Sequence, residues 1–245
     1  MTKKFSGNDE TGLEWHEGDM PYSQHFGDHF YCRSDGRLEC GHVFLAGNGL
    51  PGRWEEAEEF RIGELGFGTG LNLCETWRQW TIHRKPRQLL HFMSFELYPM
   101  QATQIDRALS HWPEIDDQRR KLVAAWPHSP TGNVEIQLDC QTRLTVIIGS
   151  AIDGVAAQAV QFDAWFLDGF APSRNPAMWS PELMRAVHDH TASNGSFATY
   201  AAAGFVRRNL QSAGFIVERS KGFAGKREML SGRKSRETSR SDRKS

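Results

Sequence analysis

Apolar positions along the chain alternate between short continuous runs and helical repeats. "EFRIGEL" is a short apolar strand running into glycines, and "QLLHFMSFEL" and "FDAWFLDGF" read as buried strands. Between the first two, "GLNLCETWRQW" offers Leu71, Leu73, Cys74, Trp77 and Trp80 for one broad helical face. "PMQATQIDRALSHW" reads as a helix with Pro99 near its start, and a polar helix follows near residues 117–125. "VEIQLDCQTRLTVIIG" reads as a strand hairpin. "SPELMRAVHDH" opens with Ser180 as N-cap and Pro181 at the first helical position. "GSFATYAA" is a strand, and "AGFVRRNLQSAG" is a helix closed by Gly214. "FIVERS" and "KREMLS" end the pattern as two strands. Upstream, residues 1–27 look irregular, and "DHFYCRSDGRLECGHVFLAG" reads as two strands around a turn at Asp35 and Gly36.

Strands alternating with helices imply an α/β fold with a mostly parallel sheet. Ligands of such sheets bind beyond the C-terminal strand ends, at the switch point. The glycines after "EFRIGEL", the "ELYP" after the second strand and the "DGFAPSRNP" after a later one all fall at such ends. Three segments therefore converge on one rim.

The first segment, "ELGFGTGLN", spaces Gly66, Gly68 and Gly70 as GxGxG, with Leu71 where a dinucleotide fingerprint needs its third glycine. Glu64 precedes the glycines, and Glu96 ends the next strand, where an acid accepts hydrogen bonds from both ribose hydroxyls. The GxGxG spacing disfavours an NAD-dependent oxidoreductase. A turn serving only compactness is the bland alternative. The second segment ends a strand with Asp168, followed by a glycine and two prolines before Trp179. Capping its own loop is the ordinary role of such an Asp.

A chain of 245 residues suits one large domain, or one with a small appendage. It holds no run of about 18 apolar residues, the length that spans a membrane. The N-terminus lacks the apolar core of a signal peptide, so a cytoplasmic protein is expected. The cysteines Cys32, Cys40, Cys74 and Cys140 form no CxxC. His25, His29, Cys32, Cys40 and His42 cluster, but without the paired spacing of a structural zinc site, so no metal is expected. The net charge of −1 hides an asymmetry. The last 45 residues hold twelve Lys or Arg against four Asp or Glu, a net of +8, which leaves −9 on the other 200. Such an end suits a polyanion. Its last fifteen residues, "SGRKSRETSRSDRKS", read as a disordered tail.

Taken together, "HVFLAGNGLPGRW", "ELGFGTGLN", "FDAWFLDGFAPSRNPAMW", "AGFVRRNLQSAGF" and "KGFAGKREML" resemble the methyltransferase module of the bacterial MnmC and MnmD tRNA-modifying proteins. The likeness runs over residues 14–232. It implies a Rossmann-like class I methyltransferase fold: a seven-stranded, mostly parallel sheet whose last strand is antiparallel, plus a small N-terminal β-hairpin region. The expected divisions are an extension at 1–55, the methyltransferase domain at 56–232 and a basic tail at 233–245. The implied reaction moves a methyl group from S-adenosylmethionine to the 5-aminomethyl group of a wobble (2-thio)uridine in tRNA. Many relatives continue into an FAD-binding oxidase. This sequence shows no second nucleotide fingerprint, so no FAD is expected here, and a separate FAD-dependent oxidase or another aminomethyl-forming enzyme is an expected partner. The resemblance assigns the donor to Glu64, Gly66, Phe67, Gly68, Gly70, Asn72, Glu96 and Asp168. Asp168 is also the expected catalytic acid–base. Three positions depart from the family pattern: Ser150 replaces an acid suited to adenine, with Asp153 nearby; Ala177 replaces another acid; and Ser193, Asn194 and Gly195 replace a Pro-Gly-Gly turn.

An alkyl amine has a pKa near ~10, so it arrives protonated and must lose a proton before it can be methylated. Asp168 is placed to hold it and accept that proton. Arg207, Arg208, Lys221, Lys226 and Arg227 are candidates for RNA phosphates, and Arg174 for a contact nearer the base. A class I methyltransferase acting on a small-molecule or protein amine, and a non-catalytic RNA-binding module, are the competing readings.

Overall fold

The computed structural model describes residues 12–235, and the last ten residues of the expected tail lie outside them. Strands β1 (Leu13–His16), β2 (Met20–Ser23) and β3 (Asp28–His29) form a small antiparallel sheet. The main sheet contains β4 (Glu59–Leu65), β5 (Leu89–Glu96), β6 (Asn133–Asp139), β7 (Thr142–Ile148), β8 (Phe162–Leu167), β9 (Thr191–Thr199), β10 (Phe215–Ser220) and β11 (Met229–Lys234). Its order is β10-β11-β9-β8-β4-β5-β7-β6. The four central pairings are parallel, whereas β11 lies antiparallel between β9 and β10. The helices are α1 (Gly36–Glu39), α2 (Leu71–His83), α3 (Ala102–Leu109), α4 (Asp116–Ala125), α5 (Ala151–Ala156), α6 (Pro181–Asp189) and α7 (Gly204–Ala213).

Alternation along buried strands sorts side chains into two layers. On β8, Ala164 and Phe166 join a core with Ile62, Phe92, Trp77 and Trp80. Trp165 and Leu167 face the opposite layer, with Leu183, Val187, Val206 and Leu210 from α6 and α7. From β4 the chain winds to β5 on one side, and it later returns to β8 on the other. The switch point therefore lies between the ends of β4 and β8, where Asp168 N donates to Leu65 O at 3.2 Å.

Three expectations are corrected. The main sheet has eight strands, not seven, because β6 extends the edge as the hairpin partner of β7. Its Val134, Ile136 and Leu138 are buried while Glu135 and Gln137 stay exposed, the pattern of a one-faced edge strand. The expected small N-terminal β region is present, but β1 and β2 lie within the stretch read as irregular, and the segment read as a hairpin opens with β3 and then becomes helical. There Asp35 Oδ1 accepts the Leu38 N–H at 3.0 Å, so the Asp-Gly pair starts α1 instead of turning a hairpin. A π-helical turn, Cys40–Leu45, follows and buries Cys40, Val43 and Phe44. Finally, Arg233 and Lys234, counted with the tail, belong to β11, where they pair with Ile216 and Phe215.

Candidate active site

A cavity of about 840 Å³ opens over the C-terminal ends of β4, β5 and β8. Its floor is the turn after β4. Gly66 adopts φ +91°, and a Cβ there would lie 2.7 Å from the Asp168 carbonyl oxygen. Only glycine lets the β4 and β8 ends approach so closely. Gly68, at φ +53°, faces the ring of Phe30.

Most of the expected donor residues converge here. Gly66, Phe67, Gly68, Asn72, Glu96 and Asp168 line the cavity. Glu64 lies beneath it at 0% exposure, and Gly70, at φ +76°, serves as the cap that starts α2. The Glu96 carboxylate accepts Gly68 N at 2.9 Å and Tyr98 N at 2.8 Å, which ties the glycine turn to the end of β5. Glu64 accepts Asn72 Nδ2 at 3.0 Å and Ser94 Oγ at 2.7 Å. Burial pushes its carboxyl well above the usual range, against the pull of those two donors.

Asp168 shares the same amide, because Asn72 Nδ2 also donates to its Oδ2 at 2.6 Å. Its carboxyl is enclosed by protein yet opens into the cavity. Burial pushes its pKa up to about 7, and the Glu39 charge adds to the rise, while Asn72 and Lys226 oppose it. Asp168 can therefore exchange a proton near neutral pH.

Two residues in this cavity carried no sequence signal. Glu39 reaches it from α1, and its carboxylate accepts Lys226 Nζ at 2.7 Å. Tyr200 follows β9, and its hydroxyl donates to Gly169 O at 2.6 Å. Lys226, expected among the phosphate contacts, instead points inward. Its Nζ lies 4.4 Å from the centre of the Tyr200 ring. Arg33 also lines the cavity, whereas the other expected RNA contacts, Arg174, Arg207, Arg208, Lys221 and Arg227, lie outside its wall. Arg174 and Arg227 are exposed, Arg208 is exposed on α7, and Arg207 beside it is half-buried. Trp179 is core, with Nε1 donating to Phe170 O at 3.0 Å.

The His and Cys residues weighed for zinc diverge. Cys40 is buried against the Asn72 carbonyl, His42 donates to Lys221 O and His25 stacks on Tyr98. Among the described residues, no group of three or more His, Cys, Asp or Glu is arranged to hold a metal ion. No described helix is long and apolar enough to cross a membrane.

Comparison with known proteins agrees with this geometry. The chain is 41% identical over 226 residues to the tRNA 5-methylaminomethyl-2-thiouridine biosynthesis bifunctional protein MnmC of Chromohalobacter salexigens, covering 90% of this chain and 32% of that protein. It is 42% identical over 223 residues to the protein of the same name from Marinomonas sp., covering 90% and 33% respectively. The chain thus spans about one third of the length of the curated relatives it matches. Among solved structures, MnmC2 from Aquifex aeolicus shares the fold, with a TM-score of 0.70 at 20% identity over 90% of this chain and 69% of that one. A family model described as S-adenosyl-L-methionine-dependent methyltransferase matches residues 113–235, half of the chain. With the glycine turn, Glu96 and Asp168 gathered on one rim, the chain belongs to the S-adenosyl-L-methionine-dependent methyltransferase family.

Proposed function

We propose that this chain methylates the primary amine of a 5-aminomethyl group on a wobble (2-thio)uridine of tRNA, giving the 5-methylaminomethyl base. The observation that carries the reading is the Asp168 carboxyl, held by Asn72 at 2.6 Å beside a bare glycine turn in a cavity that also holds Glu39 and Glu96. An acidic cavity suits an ammonium and a sulfonium together. The printed names of the MnmC relatives support tRNA as the carrier of that amine.

The residues present fit S-adenosylmethionine. Gly66 and Gly68 line the cavity floor without side chains and hold the tight turn against Asp168 O and Phe30, which leaves their backbone facing the cavity for its methionine part. Each Glu96 oxygen accepts one backbone N–H and keeps a second lone pair for a ribose hydroxyl. Ser150, Ala151 and Ile152 line the wall assigned to adenine. Asp153 is exposed and outside that wall, so it does not replace the acid usual in the family. When bound, the donor supplies a methyl group activated by its sulfonium.

The chain's own residues manage the amine. Asp168 orients the ammonium and takes its proton at a carboxylate oxygen, freeing the nitrogen lone pair. A carboxylate favours the ammonium form, so its contribution is positioning and proton transfer rather than a lowered amine pKa. The wobble base must leave its stack to reach the cavity. Arg207, Arg208, Lys221 and Arg227 are the proposed phosphate contacts, and Arg174 the proposed contact nearer the base. A separate aminomethyl-forming enzyme, such as an FAD-dependent oxidase, is the proposed partner. Residues 1–55 are proposed as an extension to a catalytic unit beginning at residue 56.

Calorimetry with S-adenosylmethionine, followed by methyl transfer to tRNA lacking this modification, tests the reading. Saturable donor binding with RNA-dependent methylation of an aminomethyl uridine is expected. Methylation of free amines with no use of tRNA would replace tRNA as the substrate.

A further inference from the structure

The Glu39–Lys226 ion pair lines the cavity, with its carboxylate end buried and its ammonium end reaching in from an exposed loop. Glu39 is held in place: its Oε2 accepts Cys32 N at 3.3 Å, and its side chain is 10% exposed. The Tyr200 ring is fixed by its hydroxyl bond to Gly169, the residue after Asp168. A buried carboxylate beside an anchored aromatic face is a receptor for a cation. Lys226 comes from a different kind of element. It belongs to the exposed loop between β10 and β11, where Ala224 and Gly225 adopt φ +46° and +83°, and its side chain is 41% exposed. The cation in the receptor is therefore a primary alkylammonium on a loop, held by partners that are fixed.

A protonated aminomethyl group is the same chemical species: a primary ammonium on a methylene. Glu39, Tyr200, Lys226 and Asp168 line one cavity, and the charges of Glu39 and Lys226 both act on the Asp168 carboxyl. An ammonium seated on Glu39 thus lies within the electrostatic reach of the proposed base.

We propose that Glu39 and the Tyr200 ring form the receptor for the substrate's primary ammonium, and that Lys226 fills it as an internal surrogate until the substrate displaces it. This rests on the amine-methylation reading above and adds the origin of its selectivity. A neutral 5-hydroxymethyl base cannot replace Lys226, because the exchange would strand a buried carboxylate without a counter-charge. An ammonium can, because one cation replaces another. From the seated ammonium one N–H bond breaks and one O–H bond forms on Asp168, so the nitrogen becomes neutral, Asp168 becomes the neutral acid, and Lys226 stays near enough on its loop to serve again as the counter-charge of Glu39. The displaced Lys226 rejoins the loop that carries Lys221 and Arg227, the charges proposed for RNA phosphates.

The two partners of this ion pair should respond in opposite directions. Using an anticodon stem-loop RNA bearing 5-aminomethyluridine, Glu39→Gln should raise KM about tenfold or more, as expected for removal of a charge-assisted hydrogen bond. Lys226→Met should lower KM, because a receptor no longer self-occupied is fully available. A purely structural pair would make both variants worse, and that result overturns the proposal. A second measurement does not depend on turnover. In the parent chain with S-adenosylhomocysteine, the 15N resonance of the Lys226 ammonium, assigned by its disappearance in Lys226→Met, should shift as the aminomethyl RNA is added. It should stay put with the matching 5-hydroxymethyl RNA. If the aminomethyl RNA is bound and methylated while that resonance does not move, the surrogate is disproved and the substrate reading stands. If the parent neither binds nor methylates the aminomethyl RNA, the substrate reading fails and the surrogate with it.

Discussion

The amide of Asn72 donates to Asp168 Oδ2 at 2.6 Å, across 96 positions of sequence. The same nitrogen donates to Glu64 at 3.0 Å, so one side chain on α2 ties together the ends of β4 and β8. Its hydrogen bond favours the ionised form of Asp168. Asn72→Ala should move the ascending limb of the kcat/KM profile to higher pH. It should also cost about 1–3 kcal/mol of stability, because two enclosed carboxyls lose a donor. A limb at the parental pH, with unchanged thermal midpoint, would refute this role.

Asp168→Asn keeps the shape and one acceptor oxygen but cannot take a proton. Turnover should fall roughly 10²–10⁴-fold, as for other general-base removals, while donor and RNA affinities stay within a few-fold. Parental activity should rise with pH as the carboxyl ionises near about 7. A seated sulfonium shifts that limb to lower pH, because a nearby cation favours the carboxylate. The variant should lack this limb and recover partly at high pH, where the amine arrives neutral. Stability should show the linked effect. Folded Asp168 holds its proton more tightly than the unfolded chain does, so its contribution to stability declines as pH rises from about 4 to about 7. Urea titrations of the two proteins across that window measure the difference.

Glu96 anchors Gly68 N and Tyr98 N while facing the cavity. Glu96→Ala removes a charge-assisted acceptor and should weaken S-adenosylmethionine by about 1.5–3 kcal/mol in calorimetry. Unchanged donor affinity would place the ribose elsewhere on the rim.

The inward turn of Lys226 narrows the set of residues available to RNA phosphates. Replacing Arg208, Lys221 and Arg227 together by Gln should lower tRNA affinity. It should also flatten the slope of log affinity against log salt by about 2 to 3, at roughly 0.7–0.9 for each phosphate no longer neutralised. Donor binding should not change. An unaltered salt slope would locate the RNA surface on another face.

Much of this arrangement is written locally in the chain. "FDAWFL" is apolar because β8 is covered on both faces, and "EFRIGEL" leads into glycines because the β4 turn needs positive φ at Gly66, Gly68 and Gly70. Ser180 announces α6 through its own bond to Leu183 N. Such features act over a few residues, so Gly66, Gly68, Glu96 and Asp168 are legible as rim residues from the chain alone, and Glu64 and Gly70 as the supports beneath and behind them. Residues 28–48 are not. Their apolar spacing fits strands as well as helices, and the choice falls to the Asp35 cap and to packing of Cys40, Val43 and Phe44 into the core. Glu39 is hidden with them. Its hydrogen bond to Lys226 spans 187 positions and leaves no periodic or local trace in either segment. The sequence by itself determined the parallel sheet, the glycine turn and the acids at its strand ends, because local backbone and burial requirements select those residues. Only the tertiary structure decided that Lys226 turns inward, because the cavity carboxylate that attracts it exists only once α1 and the β10–β11 loop are brought together.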